Sequence, residues 1–180
     1  MVAEVSYSLP RVDSADSFAA IEKIMSKAEF MRAAIKLAED GMRGGRGGPF
    51  GCVVVRRGEI VGRGSNRVTS TNDPTAHAEV VAIRDACAAL GTFQLTDCEL
   101  YTSCEPCPMC LAAIYWARIP QTFYGNTRGD AAAIGFDDEF IYQQVPLPPE
   151  KRAIKMELFL RDEAQTAFKE WAAKTDKIRY

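Results

Sequence analysis

The sequence predicts an α/β fold, a three-layer sandwich with a mixed central sheet, and three observations lead there. Short runs of strand-forming residues alternate with longer runs of helical period, the pattern of helices packed on a sheet. Two of the short runs flank Arg57-Gly58, a hairpin signal. The 180 residues, 47% hydrophobic and 26% charged, suit one ordinary globular core.

The elements follow in order. Residues 1 to about 16 are polar and unperiodic and read as a loose tail. A short helix is predicted from Phe18 to Met25. Ser26-Lys27-Ala28-Glu29 then reads as a capping box opening a second helix. Its apolar stripe is Phe30, Ala34, Leu37 and Ala38, and it ends near Gly41. Gly44-Gly45-Arg46-Gly47-Gly48-Pro49 is a loop by composition, better read as a helix-to-strand turn than as an RNA-binding arginine–glycine tract. Strands are predicted at Cys52–Val55 and Glu59–Gly64. Asp73-Pro74 reads as the cap and first residue of a helix that Gly91 stops. Strand Glu99–Thr102, helix Pro106–Arg118 and strand Thr122–Tyr124 come next. A loop-rich stretch from Asn126 ends in Pro146-Leu147-Pro148-Pro149, the one linker candidate. Strand Lys155–Leu160 and helix Glu163–Ala173 complete the chain. Residues 28–180 are expected to form a single domain, preceded by an extension over residues 1–27.

Composition excludes several functions. Lys plus Arg number 22 against 24 Asp plus Glu, a net charge of −2. Such a balance gives no field for a polyanion, so nucleic acid is not expected as a partner. No apolar run is long enough to span a bilayer, and the N-terminus lacks the order of a signal peptide. Of six cysteines, Cys104, Cys107 and Cys110 fall within seven residues, which is ligand spacing rather than a disulfide framework. A cytoplasmic, reducing location is expected.

Two segments carry the chemistry: His77-Ala78-Glu79 and Cys104-Glu105-Pro106-Cys107-Pro108-Met109-Cys110. Catalytic zinc takes three protein ligands and leaves a fourth position for water. Cys107 and Cys110, three apart at a helix start, share a face, and the helix dipole favours their thiolates. His77, the only histidine in the chain, supplies the nitrogen. One zinc per chain is expected. A Cys-x-x-Cys alone could instead be a redox pair, and Cys104 could close a structural site as a fourth ligand. Glu79 separates these readings. Residues i and i+2 of a helix do not face the same way, so Glu79 is a neighbour of the metal rather than a ligand. There it suits a general acid–base that moves protons during hydrolysis.

His-x-Glu followed by Pro-Cys-x-x-Cys is the signature of zinc nucleobase deaminases. Gly47-Gly48-Pro49-Phe50-Gly51, Asn72-Asp73-Pro74-Thr75-Ala76-His77-Ala78-Glu79, Tyr101 to Cys110 and Gly135-Phe136-Asp137-Asp138 together resemble the small bacterial guanine deaminases, over roughly Ala28 to Tyr180. The resemblance implies a cytidine-deaminase-like fold and hydrolysis of guanine to xanthine and ammonia, with zinc as cofactor and Glu79 as catalytic residue. It further implies a purine pocket formed by Asn66, Phe50, Ala78, Asp138 and Tyr180. A homodimer is implied too, its C-terminal segment exchanged between subunits so that Tyr180 closes the partner's site. Guanosine deamination is the alternative within the class, and a tRNA adenosine deaminase is disfavoured by charge. A structural zinc module is the alternative outside enzymes.

Overall fold

The computed structural model describes residues 14–179, with side chains from Lys27 onward. The tail before Ser14, the side chains of the extension, and Tyr180 lie outside the described residues.

Helix α1 runs without a break from Ser14 to Arg43. The short first helix and the new start at Ser26 are therefore corrected, and the expected domain boundary at residue 27 falls inside one helix. No proline interrupts this span and its first glycine is Gly41. Helix formers on both sides of Ser26 let the i→i−4 ladder continue, so the capping pattern has no free amides to cap.

Strands β1 (Gly51–Arg56) and β2 (Glu59–Ser65) form the expected hairpin. Its turn residues Arg57 and Gly58 both take positive φ, 52° and 83°, which matches the twist of the flanking strands. Strand β3 (Cys98–Cys104) pairs antiparallel with β1, and β4 (Gln121–Asn126) pairs parallel with β3. The sheet order is β2-β1-β3-β4, a mixed sheet as predicted.

Residue alternation along the strands feeds two cores. On one face Val53, Val55 and Tyr101 pack against Ala34 and Phe30 of α1. Tyr101 stacks on Phe123, ring centroids 4.8 Å apart. On the other face Cys52, Val54 and Leu100 meet α3 (Ala78–Leu90) and α4 (Pro108–Trp116) through Ala78, Ala82, Ala86 and Ile114. Helix, sheet and helices make the three layers. No described helix is long and apolar enough to cross a membrane.

Several boundaries differ from the sequence reading. Asp73 does not cap a helix. Its carboxylate accepts from the amide and hydroxyl of Thr75 in a local turn, and α3 begins five residues later with His77 as its cap. Helix α4 begins at Pro108, not Pro106. Two prolines compete for the start, and the second takes the first helical position while holding Cys107 extended at φ −63°, ψ 168°. The stretch after β2 contains α2 (Val68–Thr71), and the stretch after Asn126 contains α5 (Arg128–Ala133) and α6 (Glu139–Gln144). Predicted strand 155–160 is not a strand. It meets no sheet edge, and Leu158 and Phe159 stand exposed before α7 (Arg161–Ala173).

Candidate active site

The N-termini of α3 and α4 meet on one face of the sheet, and the caps carry the chemistry. His77 caps α3 and Cys107 caps α4, while Cys110 lies in the first turn of α4. His77 Nδ1 is 3.6 Å from Cys107 Sγ and 3.6 Å from Cys110 Sγ. All three donor atoms lie within 4.8 Å of one another. Ordinary zinc bond lengths in a tetrahedral site separate a sulfur and a nitrogen ligand by roughly 3.6 Å. The donor set therefore fits zinc in both spacing and chemistry.

Electrostatics at the two caps favour a metal. The Cys107 thiol is held down to about 4, first by the hydrogen bond from Cys110 and then by His77. Cys110 is pushed up, chiefly because it is the proton donor to Cys107, then by burial and by Glu79. His77 is raised by its contact with Cys107. Without a cation, this trio shares protons among three ligands; a divalent ion replaces them. Cys104 is outside the trio. It is buried, donates to the Thr127 carbonyl at 3.6 Å, and burial pushes its thiol up to about 11. A neutral thiol turned elsewhere is a poor fourth ligand.

Glu79 is 6% exposed at the inner wall of the site. Its Oε2 lies 3.3 Å from Cys110 Sγ and its Oε1 accepts from Thr102 Oγ1 at 3.1 Å. Burial raises its pKa. A buried carboxyl that holds a proton more readily than a solvated one suits proton transfer.

A cavity of about 480 Å³ opens over this group, lined by His77, Glu79 and Cys107 and, away from the metal trio, by Phe50, Asn66 and Asp138. Asn66 is buried, and its Oδ1 accepts from the amides of Gly48 and Val68. The side-chain NH₂ is the end left for a ligand. A Cβ on Gly47 would fall 2.2 Å from Asn66 Oδ1, so only glycine lets the loop pass this close. Asp138 sits at the start of α6, its carboxyl raised by partial burial and by Cys107. The Ala78 side chain is packed in the core. Only its main-chain N–H, among the first four of α3 that intrahelical bonding leaves free, could reach a ligand.

Three residues escaped the sequence reading. Phe136 meets Phe50 edge-on, centroids 4.9 Å apart at 89°, and completes an aromatic wall. Arg128 also lines the cavity, its guanidinium over the Tyr142 ring at 4.5 Å and paired with Glu139. Thr102 donates its hydroxyl to Oε1 of Glu79. Phe136 lay within a motif already singled out, Gly135 to Asp138. Thr102 lay within another, Tyr101 to Cys110, and nothing local marks Arg128.

Comparison with known proteins places these features. Residues 25–126 match the cytidine and deoxycytidylate deaminase zinc-binding region. Guanine deaminase of Bacillus subtilis is 51% identical over 156 residues, covering 87% of this chain and all of that enzyme. Its crystal structure superposes with a TM-score of 0.82 over 85% of this chain and 98% of that one. A tRNA-specific adenosine deaminase of Agrobacterium fabrum is 46% identical over 89 residues, 48% of this chain and 59% of that protein.

Proposed function

The chain belongs to the cytidine and deoxycytidylate deaminase zinc-binding family, and from that membership we infer a zinc-dependent guanine deaminase, converting guanine and water to xanthine and ammonia. The observation that carries the reading is the meeting of two helix caps, His77 and Cys107, with Cys110 and a buried Glu79 beneath one cavity. The match to the Bacillus subtilis guanine deaminase runs over its whole length, whereas the tRNA-specific adenosine deaminases match 48–56% of this chain and 56–66% of their own length.

His77, Cys107 and Cys110 would hold the metal. When bound, zinc supplies Lewis acidity that makes a water nucleophilic near neutral pH. Glu79 takes a proton from that water and delivers it to a purine ring nitrogen as oxygen adds to C2. The proton of the new C2 hydroxyl then passes through Glu79 to the amine, the C2–N bond breaks, and ammonia leaves as the carbonyl forms. Phe50 packs on the base, with Phe136 beside it. Asn66 donates from its NH₂, the Ala78 amide donates from the helix end, and Asp138 accepts from a ring N–H. A pocket matched this way discriminates against rings lacking the partner groups.

The C-terminal arm supports a homodimer. Ile154, Leu158, Phe159, Phe168, Trp171 and Ile178 are all exposed, a run of apolar surface that monomers rarely carry. In this reading the arm crosses to the partner, and Tyr180 closes the partner's site. All six cysteines are free, which suits a cytoplasmic enzyme of purine breakdown. The test is ammonia release over guanine, guanosine, adenine, cytosine and a tRNA. Guanine should lead. A guanosine rate above the guanine rate overturns the substrate while leaving the reaction class; no release from any of them, by zinc-loaded protein, leaves a structural zinc module.

A further inference from the structure

Thr102 stands at a position where a hydroxyl is out of place. It lies in β3, between Cys52 of β1 and Tyr124 of β4 in the register. Its neighbours two residues away on the same strand face are Leu100 and Cys104, and that face packs on Ala78 and Ala82 of α3. Only 1% of Thr102 is exposed. A valine has nearly the same shape and would suit this apolar surface without a polar atom to desolvate. The hydroxyl has one described side-chain partner, Oε1 of Glu79 at 3.1 Å, itself buried.

We propose that Thr102 is a positioning residue, whose hydroxyl fixes the carboxylate of Glu79 so that Oε1 is occupied and Oε2 alone is presented to the reacting atoms. This rests on the reading of Glu79 as the proton carrier. Glu79 has two described side-chain partners, Thr102 at Oε1 and the Cys110 thiol at Oε2. The second cannot donate once Cys110 is a metal-bound thiolate. Thr102 is then the remaining side-chain donor. Strand pairing on both sides of β3 makes it a rigid one, as precise placement of a reacting group requires. Held only by its own backbone N–H, the carboxylate would rotate more freely about its last torsion and spend part of its time with neither oxygen aimed at the water, which lowers turnover and leaves affinity for the base alone.

The experiment compares Thr102→Val, Thr102→Ala and Thr102→Ser, alone and in a Glu79→Gln background, by zinc analysis and steady-state kinetics on guanine. Val and Ala should lower kcat by about 10–100-fold, with KM unchanged and zinc still at one per chain. Ser restores the hydroxyl and should restore most of kcat. In the Glu79→Gln background, Thr102→Val should cost nothing further, because it acts through the group already removed. Native kcat in Thr102→Val, a Ser variant as slow as Val, or a loss confined to KM or to zinc content overturns the proposal. If Glu79→Gln itself keeps near-native turnover, the role of Glu79 falls, and this inference falls with it.

Discussion

Leu100 and Leu158 are the same residue in opposite circumstances, one fully buried in β3 and the other 79% exposed ahead of α7. The contrast extends to their regions. From β1 to Ile119, most apolar side chains pack within the same chain, across a sheet with helices on both faces, and Tyr115 and Trp116 at the end of α4 are the most exposed exceptions. From Ile154 onward they find few, though the residues are as large and as apolar. The hydrophobic effect does not distinguish the two stretches; geometry does. A strand is stable where a neighbouring strand pairs with it, and 155–160 has none within its own chain. The first region carries the His77, Cys107 and Cys110 donors on a packed sheet. The second leaves Leu158, Phe159 and Phe168 exposed in the single chain.

That comparison can be broken most severely at the metal. Cys107→Ser should abolish both zinc binding and activity, and Cys104→Ser, whose thiol points to Thr127, should keep both. Equal zinc loss in the two would mean that the body closes a structural site. The next effect is on stability. Leu100→Ala should cost about 2–5 kcal/mol at any protein concentration. Leu158→Ala should leave the unfolding of dilute chain unchanged and lower the association of concentrated chain, measured as the weight-average mass by static light scattering across a dilution series. A concentration-independent loss at Leu158 would put it in the body after all.

Removal of residues 178–180 should have a smaller and more selective effect: zinc content and melting unchanged, turnover and preference for guanine reduced. Mixing this truncated chain with a Glu79→Gln chain should recover part of the activity, because the sites with intact Glu79 then receive complete tails. Recovery absent from confirmed heterodimers would place the tail over its own site. The smallest effect is expected in acid, at the join of the two regions. Hydrogen bonds from the Thr127 hydroxyl and amide hold Asp130 below the usual carboxylate range, closing the cap of α5. A depressed folded pKa gives stability that is present above the ordinary value and lost as pH falls through the lowered one. Protection factors of the α5 amides should therefore fall below about pH 4 in native protein and lack this acid-dependent fall in Asp130→Asn.

The fold was legible because its signals are local. Alternation at residues 52–55, 59–64 and 99–102 and the Arg57-Gly58 turn each act within a few positions. The metal trio was legible because residue type and spacing alone restrict it. Helix starts were read too early at both ends of the site. Asp73 and Pro106 are good start residues, but a side-chain turn and a second proline decided otherwise, and His77 and Cys107 became caps. Strand 155–160 has the right pattern and lacks a partner, a fact no pattern contains. Thr102 and Glu79 are 23 positions apart, and their contact exists only after β3 and α3 have packed.

The glycine loop also bears on how such an enzyme could change its diet. Any side chain at 47 would drive Asn66 from its place, with the clash falling partly on backbone that cannot yield. At 48 the nearest obstacles are the far ends of Phe136 and Phe50, at 2.9 and 3.0 Å, which can swing aside. Adjacent positions thus differ in evolutionary freedom: 47 is frozen for as long as Asn66 is needed, and 48 can be explored. New substrate ranges in descendants of this chain, natural or selected in the laboratory, should arise by movement of the Phe50–Phe136 wall, with Gly47 unchanged throughout.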